Sequence, residues 1–386
     1  MSLEQREPRG DGSARSWRHP LNRFSFGRYR FLFEVTKQLH LPEFAAATLR
    51  GGLGYALKKN VCIWPPGDCG RCRYVRNCGY GCLFESRPVP GATKLRNFEQ
   101  LPRPYLLTFP NGHQRRNSWL PPETEEEIAD ENASLGRTFR EGDWFECEVI
   151  LIGRAALWFP LLPLAFTRLG RRGLGPERGK FRVAEVRAVC LSGENRGRKY
   201  PLVYHWRYGL CGNDLFITTG QEILNQWEEA PRRVTIHFET PTRLEHGEEV
   251  CEEITFTDLI RGLLRRLSSL CYFHCGFELQ LDYRRLVEES RLVEMTAKEF
   301  SWQDQARFST RQSQRILLGG VVGHATYEAP CREMMATFFP LLAIGQYVHV
   351  GKGTVMGLGK FSVRNADWYA GLHGHQAKET KDEGDN

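Results

Sequence analysis

Two glycine-rich runs and one cysteine cluster hold the residues of this sequence best suited to chemistry. The C-terminal run contains Gly351, Gly353, Gly357 and Gly359, with Lys352 among them and Lys360 just after. Glycine admits positive φ and lets backbone N–H groups approach a ligand with no Cβ in the way. Lysines beside such groups suit an anion, phosphate above all. About half a chain earlier, Gly170, Gly173, Gly175 and Gly179 are interleaved with Arg171, Arg172 and Arg178 and followed by Lys180. The runs end alike, GKFRV at 179–183 and GKFSV at 359–363. That echo predicts an internal duplication.

Cys62, Cys69, Cys72, Cys78 and Cys82 crowd together. The central C-x2-C, flanked by further cysteines on both sides, suits four thiolates on a tetrahedral metal. Structural Zn2+ is the first expectation and an iron–sulfur cluster the alternative. A closed four-thiolate site has no open position for catalysis. Pro65, Pro66, Gly67 and Gly70 supply turns, and Arg71, Arg73 and Arg76 give the knuckle a basic surface. The chain has 12 cysteines, and the other seven are scattered singly, as buried thiols are.

The elements that must position these residues follow from periodicity. Tyr29 to Val35 reads as a strand. Ala45 to Lys59 has Leu49, Leu53 and Leu57 at helical spacing. Glu123 to Asp130 is an acidic helix candidate, and Trp144 to Gly153 is a strand. Ala155 to Leu169 reads as a helix despite Pro160 and Pro163, and Lys180 to Val189 is a strand. The second half repeats the order. Arg233 to Thr240 is a strand. Thr255 and Asp258 can form a capping box for a helix reaching Leu270. Strands follow at 291–302 and 312–323, then a helix from Cys331 to Tyr347 and a strand from Lys360 to Arg364. This predicts an α+β protein of tandem ferredoxin-like (βαββαβ) domains, with a cysteine-rich metal knuckle inserted in the first. The expected limits are a basic disordered arm over 1–26, domains over 27–230 (knuckle at 62–82) and 231–370, and a disordered tail over 371–386.

At 386 residues, 41% hydrophobic and 26% charged, the chain can bury two cores. No apolar run approaches the roughly 20 residues of a membrane span. The N-terminal residues lack a secretion signal's pattern, so the expected setting is the cytoplasm. A net charge of +7 permits a polyanionic partner without requiring one.

Together these residues resemble the CRISPR-associated endoribonucleases that process precursor CRISPR RNA, within the RAMP superfamily. The likeness covers most of residues 28–368. It is carried by LRGGLG at 49–54, the cysteine cluster, ETPTRL at 239–244, LRRL at 264–267, STRQ at 309–312, LGGVVG at 318–323 and the C-terminal glycine run. The resemblance implies binding of CRISPR repeat RNA and one cut per repeat. It implies attack by the ribose 2′-OH without a catalytic metal, leaving a 2′,3′-cyclic phosphate. It also matches Cys62, Cys69, Cys72 and Cys78 to a metal group that relatives carry, with Cys82 as a possible substitute.

Such a reaction needs a base for the 2′-OH, an acid for the leaving oxygen and positive charge for the phosphorane. Relatives draw a catalytic His or Tyr from the first helix or its ends. Here that segment offers His40, Tyr55 and Lys58; the cysteine cluster stands where a histidine would follow the helix. His349, before the C-terminal run, resembles a position often filled by His. The expected RNA contacts are Arg50, Lys59, Arg171, Arg172, Arg311, Gln312, Arg315, Gly351, Lys352, Gly353, Gly357, Gly359 and Lys360. The alternative is a non-catalytic RNA-binding subunit of a CRISPR effector complex, since the fold alone does not separate binder from enzyme. A DNA-binding or scaffold protein stabilised by its metal is the third reading.

Overall fold

The computed structural model describes residues 19–63, 68–88, 91, 101–109, 137–191, 200–247, 249–309 and 314–365. The acidic helix candidate, Arg311, Gln312, most of the N-terminal arm and the tail lie outside the described residues.

The first half is built on strand β1 (Ser25–Lys37), whose alternation buries Phe31, Phe33 and Val35. Helix α1 (Ala45–Val61) follows, then strands β2 (Tyr105–Thr108) and β3 (Trp144–Ile152), helix α2 (Leu161–Arg172) and strand β4 (Lys180–Ala188). The sheet runs in the order β2-β3-β1-β4, each pair antiparallel. Leu49, Leu53 and Leu57 of α1 and Leu162, Phe166 and Leu169 of α2 pack with Phe31 and Phe33 in one core. Two short strands, Leu202–His205 and Gly209–Leu210, extend the sheet beyond β4.

The second half contains β5 (Arg233–Thr242), α3 (Phe256–Leu270), β6 (Glu294–Gln303), β7 (Gly320–Glu328), α4 (Arg332–Val348) and β8 (Phe361–Asn365). Its sheet order is β6-β7-β5-β8, again antiparallel throughout. In both halves the strands therefore lie second, third, first, fourth. The predicted capping box forms: Thr255 Oγ1 accepts the Asp258 N–H, and the Asp258 carboxylate accepts the Thr255 N–H.

Two expected boundaries are corrected. The helix read from Ala155 is split into a 3-10 turn (Gly153–Trp158) and α2. Pro160 caps α2 and Pro163 lies in its first turn, where no backbone donor is required. The strand read at 312–323 is displaced. Gln314–Leu317 pairs with Ala306–Ser309, and β7 begins only at Gly320. At Gly320 the chain crosses β5 so closely that a Cβ would lie 2.7 Å from the Thr242 nitrogen.

The two halves interlock. Phe24, Phe26, Ile150 and Ile152 of the first join the core formed by α3 and α4. Met356 and Leu358, from the C-terminal glycine run, enter the core of the first half. Gly359 sits at the base of that loop with φ +70°, and a Cβ there would stand 1.7 Å from the Val350 carbonyl oxygen. Relief would require moving backbone, so we expect Gly359→Ala to cost about 3 kcal/mol or more. The measurement is urea unfolding, read as a lower midpoint at constant slope. An unchanged midpoint would show that the loop is not locked in this way.

Candidate functional site

The C-terminal glycine run forms a closed turn. Gly351, Gly353, Gly357 and Gly359 all have positive φ. The backbone N–H groups of Lys352, Met356, Gly357 and Gly359 donate to carbonyls of the protein, and that of Lys360 donates to Thr240 Oγ1. Lys352 Nζ lies 2.5 Å from Glu245 Oε1, and Lys360 Nζ lies 2.6 Å from Glu239 Oε2. The expected phosphate cradle is corrected by these contacts: the donors named here are used within the fold, and both lysines are held by carboxylates. Neither glutamate is assigned a role by the sequence reading. Glu239 opens the ETPTRL motif at the end of a strand-forming run, and Glu245 follows that motif directly.

His349 is buried at the C-terminal end of α4, with φ +59° and ψ 172°. Its Nδ1 lies 3.2 Å from the Leu358 carbonyl. A carbonyl only accepts, so Nδ1 carries the proton and ties the ring across the turn. Burial, with help from Lys360 and Arg266, lowers its pKa to about 3. The expectation that His349 is a base is corrected: its ring is enclosed and braces the glycine turn.

The first glycine run serves His40. Leu174 and Gly179 exchange backbone hydrogen bonds of 2.9 and 3.1 Å, closing a tight loop. Gly179 lies against Gln38 and Leu39, and Gly175 faces the His40 carbonyl. His40 is exposed on a short strand, Leu39–Leu41, paired with Arg137–Phe139. Its Nδ1 is 3.0 Å from Thr138 Oγ1. Next to this loop, Lys37 and Lys180 are register partners on β1 and β4.

Tyr55 is 47% exposed on α1. The Arg172 guanidinium sits 3.7 Å above its ring, and Lys59 Nζ is 5.9 Å from the same ring. Arg171 is exposed beside Arg172. Arg50 instead faces the Phe84 ring at 5.7 Å and interacts with Tyr105. Lys58 Nζ lies 5.2 Å from the Tyr80 ring and bonds to Cys69. Among the described residues no hydrogen bond joins His40, Tyr55 and Lys58 to one another. The first glycine run connects two of them, since its Arg172 covers Tyr55 while its Gly175 meets His40. Arg315 falls on the strand Gln314–Leu317.

Cys62, Cys69, Cys72 and Cys78 line one pocket with Lys58, Tyr74 and Tyr80. Cys78 Sγ accepts the Gly81 N–H at 3.1 Å. Among the described residues, no three metal-donor side chains are gathered closely enough to hold an ion. Cys82 is buried one turn into the helix Gly79–Phe84 and is absent from that pocket lining. Its side chain bonds to Trp158. This placement corrects its expected role as a substitute ligand.

Residues 236–361 match the family model of the CRISPR-associated endoribonuclease Cas6. In that region the chain is similar to the Cas6 family of CRISPR-associated endoribonucleases. Residues 24–205 match a second model, AF_1859_N, described as an N-terminal domain. No curated protein matches the sequence. Among solved structures, a Cas6 product complex aligns with TM-score 0.49 and 15% identity, over 88% of this chain and 100% of that one. A Thermus thermophilus Cas6 aligns with TM-score 0.47 and 13% identity, over 88% and 99%. A RAMP protein binding different RNA substrates gives 0.41 and 10%, over 88% and 99%. The family resemblance read from the glycine runs and flanking motifs is thus borne out in the second half.

The state of His349 makes stability depend on pH. The unfolded chain takes up this proton near the ordinary value of 6.5, and the native chain only at about 3. Between these the unfolded state binds more protons, so the contribution is complete above pH 6.5 and is lost as pH falls toward 3. His349→Gly suits the backbone angles and removes the titrating group. We expect its urea midpoint to vary less with pH over that window, and its RNA cleavage to stay within about threefold of the parent's. A loss of about 100-fold in cleavage with the fold intact would return the ring to the catalytic set.

Proposed function

We propose that this Cas6-family chain cleaves CRISPR repeat RNA by 2′-OH attack, without a catalytic metal, yielding mature CRISPR RNA with a 2′,3′-cyclic phosphate. The family match over the second half carries the reading, and exposed His40 is the imidazole best placed to act on an RNA. The two matching strand orders support a tandem ferredoxin-like architecture, with the RNA lying across both halves. Other CRISPR effector subunits are further partners.

In this reading His40 takes the 2′-OH proton. The freed oxygen attacks the adjacent phosphorus, the bond to the 5′-oxygen breaks, and that oxygen leaves with a proton from solvent water, to which His40 then returns its own. Thr138 holds Nδ1 of His40, which leaves Nε2 for the hydroxyl. Arg171, Arg172 and Lys59 supply the positive charge that a pentacovalent phosphate requires. Tyr55, under the Arg172 guanidinium, holds that charge in place by a cation–π contact.

The cysteine pocket fits a structural zinc in its donor set. Four thiolates on Zn2+ carry excess negative charge, and Lys58 beside Cys69 offsets part of it. The 3.1 Å N–H contact to Cys78 has the same effect. Zinc binding would draw the four sulfurs together and fix the loop after α1, with no part in the chemistry. In this reading Lys58 serves the knuckle and takes no part in the cleavage.

Two measurements test these readings. Cognate repeat RNA is incubated with the chain in excess EDTA, beside the same RNA with one 2′-deoxy at the scissile nucleotide. We expect cleavage of the first only, and His40→Ala to slow it by about 100-fold or more. Binding of both RNAs with cleavage of neither would instead make the chain a non-catalytic subunit. Elemental analysis is expected to find about one zinc per chain, lost together with thermal stability in Cys72→Ala. A brown protein containing iron would replace zinc by a cluster.

A further inference from the structure

The hairpin beyond β4 carries a feature that the proposed chemistry does not use. Its strands, Leu202–His205 and Gly209–Leu210, are joined by Trp206, Arg207 and Tyr208. Trp206 is 42% and Tyr208 75% exposed, so two large rings stand close together at one hairpin tip. The rings are ordered by contacts. His205 and Tyr208 stack with centroids 4.9 Å apart and planes 24° apart. Arg182 lies 4.4 Å and Arg207 lies 4.9 Å from the Trp206 ring. Glu34 fixes Arg182 through two hydrogen bonds of 2.6 and 2.9 Å. Arg207 has no carboxylate partner among the described residues.

The geometry points to a base-stacking finger for single-stranded RNA, an inference that rests on the RNA-processing reading above. With one face on His205 and most of its area in solvent, Tyr208 offers its other face to an unpaired base. Ring stacking is tolerant of base identity and contributes substantially per base. Arg207 is placed for the adjoining phosphate. A protein partner is the competing occupant, because Leu210 and Leu215 are also exposed. The unneutralised cation at the tip and the pairing of the Trp206 ring with cations favour a polyanion. Position supports the same choice. The Trp206 N–H bonds to Ala184 of β4, while Arg182 is two residues from Lys180, the register partner of Lys37. The hairpin thus stands toward the end of the large sheet from which β1 runs on, past Lys37, to the short strand bearing His40, where RNA leaving the proposed catalytic site can reach it.

The test is fluorescence anisotropy of the full chain with a labelled oligouridylate of about a dozen nucleotides, and separately with cognate repeat RNA. Tyr208→Ala is expected to weaken oligouridylate binding roughly fivefold or more, while Tyr208→Phe binds as the parent does. Arg207→Ala is expected to lower the slope of log affinity against log salt by about one. Tyr208 is too exposed for its loss to unfold the chain, and a thermal melt checks this. Equal oligouridylate binding by Tyr208→Ala and the parent overturns the finger alone. Failure of the parent to bind either RNA overturns both the finger and the function proposed above.

Discussion

The exchange of apolar side chains between the two halves is the constraint on which the rest depends. Met356 and Leu358 leave the C-terminal glycine run and enter the first core, while Phe24, Phe26 and Ile152 enter the second. Each half therefore completes the other's interior. The run can reach across only by a sharp turn, and that explains its glycines better than a bound anion does. A Cβ at Gly351 would lie 2.4 Å from the Arg243 carbonyl oxygen, and one at Gly357 would lie 3.2 Å from that of Leu107. His349 follows from the same constraint. Its strained backbone and enclosed ring persist because the turn is fixed from both sides.

This explains which parts of the molecule are legible in the sequence. Local signals located most elements, with the segments from Ala155 and over 312–323 as the exceptions. Leucine spacing located α1, the Thr255 capping box located α3, and the matching pentapeptides marked β4 and β8 as equivalent closing strands. The fates of His349, Lys352 and Lys360 are not local. Whether a histidine faces RNA or a buried carbonyl is set by how the other half packs over it. Whether a lysine is available to phosphate is set by a glutamate more than one hundred residues away. Cys82 is a milder case: its spacing resembles a ligand's, but one turn of helix carries it into the core.

The same distinction decides where a polyanion can bind. The chain has many cations, but the face of the first sheet that carries Arg28, Arg30, Arg182 and Arg187 neutralises them in place, against Glu148, Glu146, Glu34 and Glu185. Such pairs organise the sheet and contribute little attraction at a distance, because each guanidinium has a carboxylate beside it. Arg171 and Arg172 at the end of α2, Lys59 on α1 and Arg207 on the hairpin have no such partner among the described residues. Their fields are left to the solvent, where an approaching phosphate backbone meets them first. The formal charge of +7 is therefore a poor guide to the binding surface. The informative quantity is which cations the fold has left unpaired, and Arg171, Arg172 and Lys59 among them lie on the elements around the first glycine run and Tyr55, away from the C-terminal loop whose sequence looked more like a phosphate site.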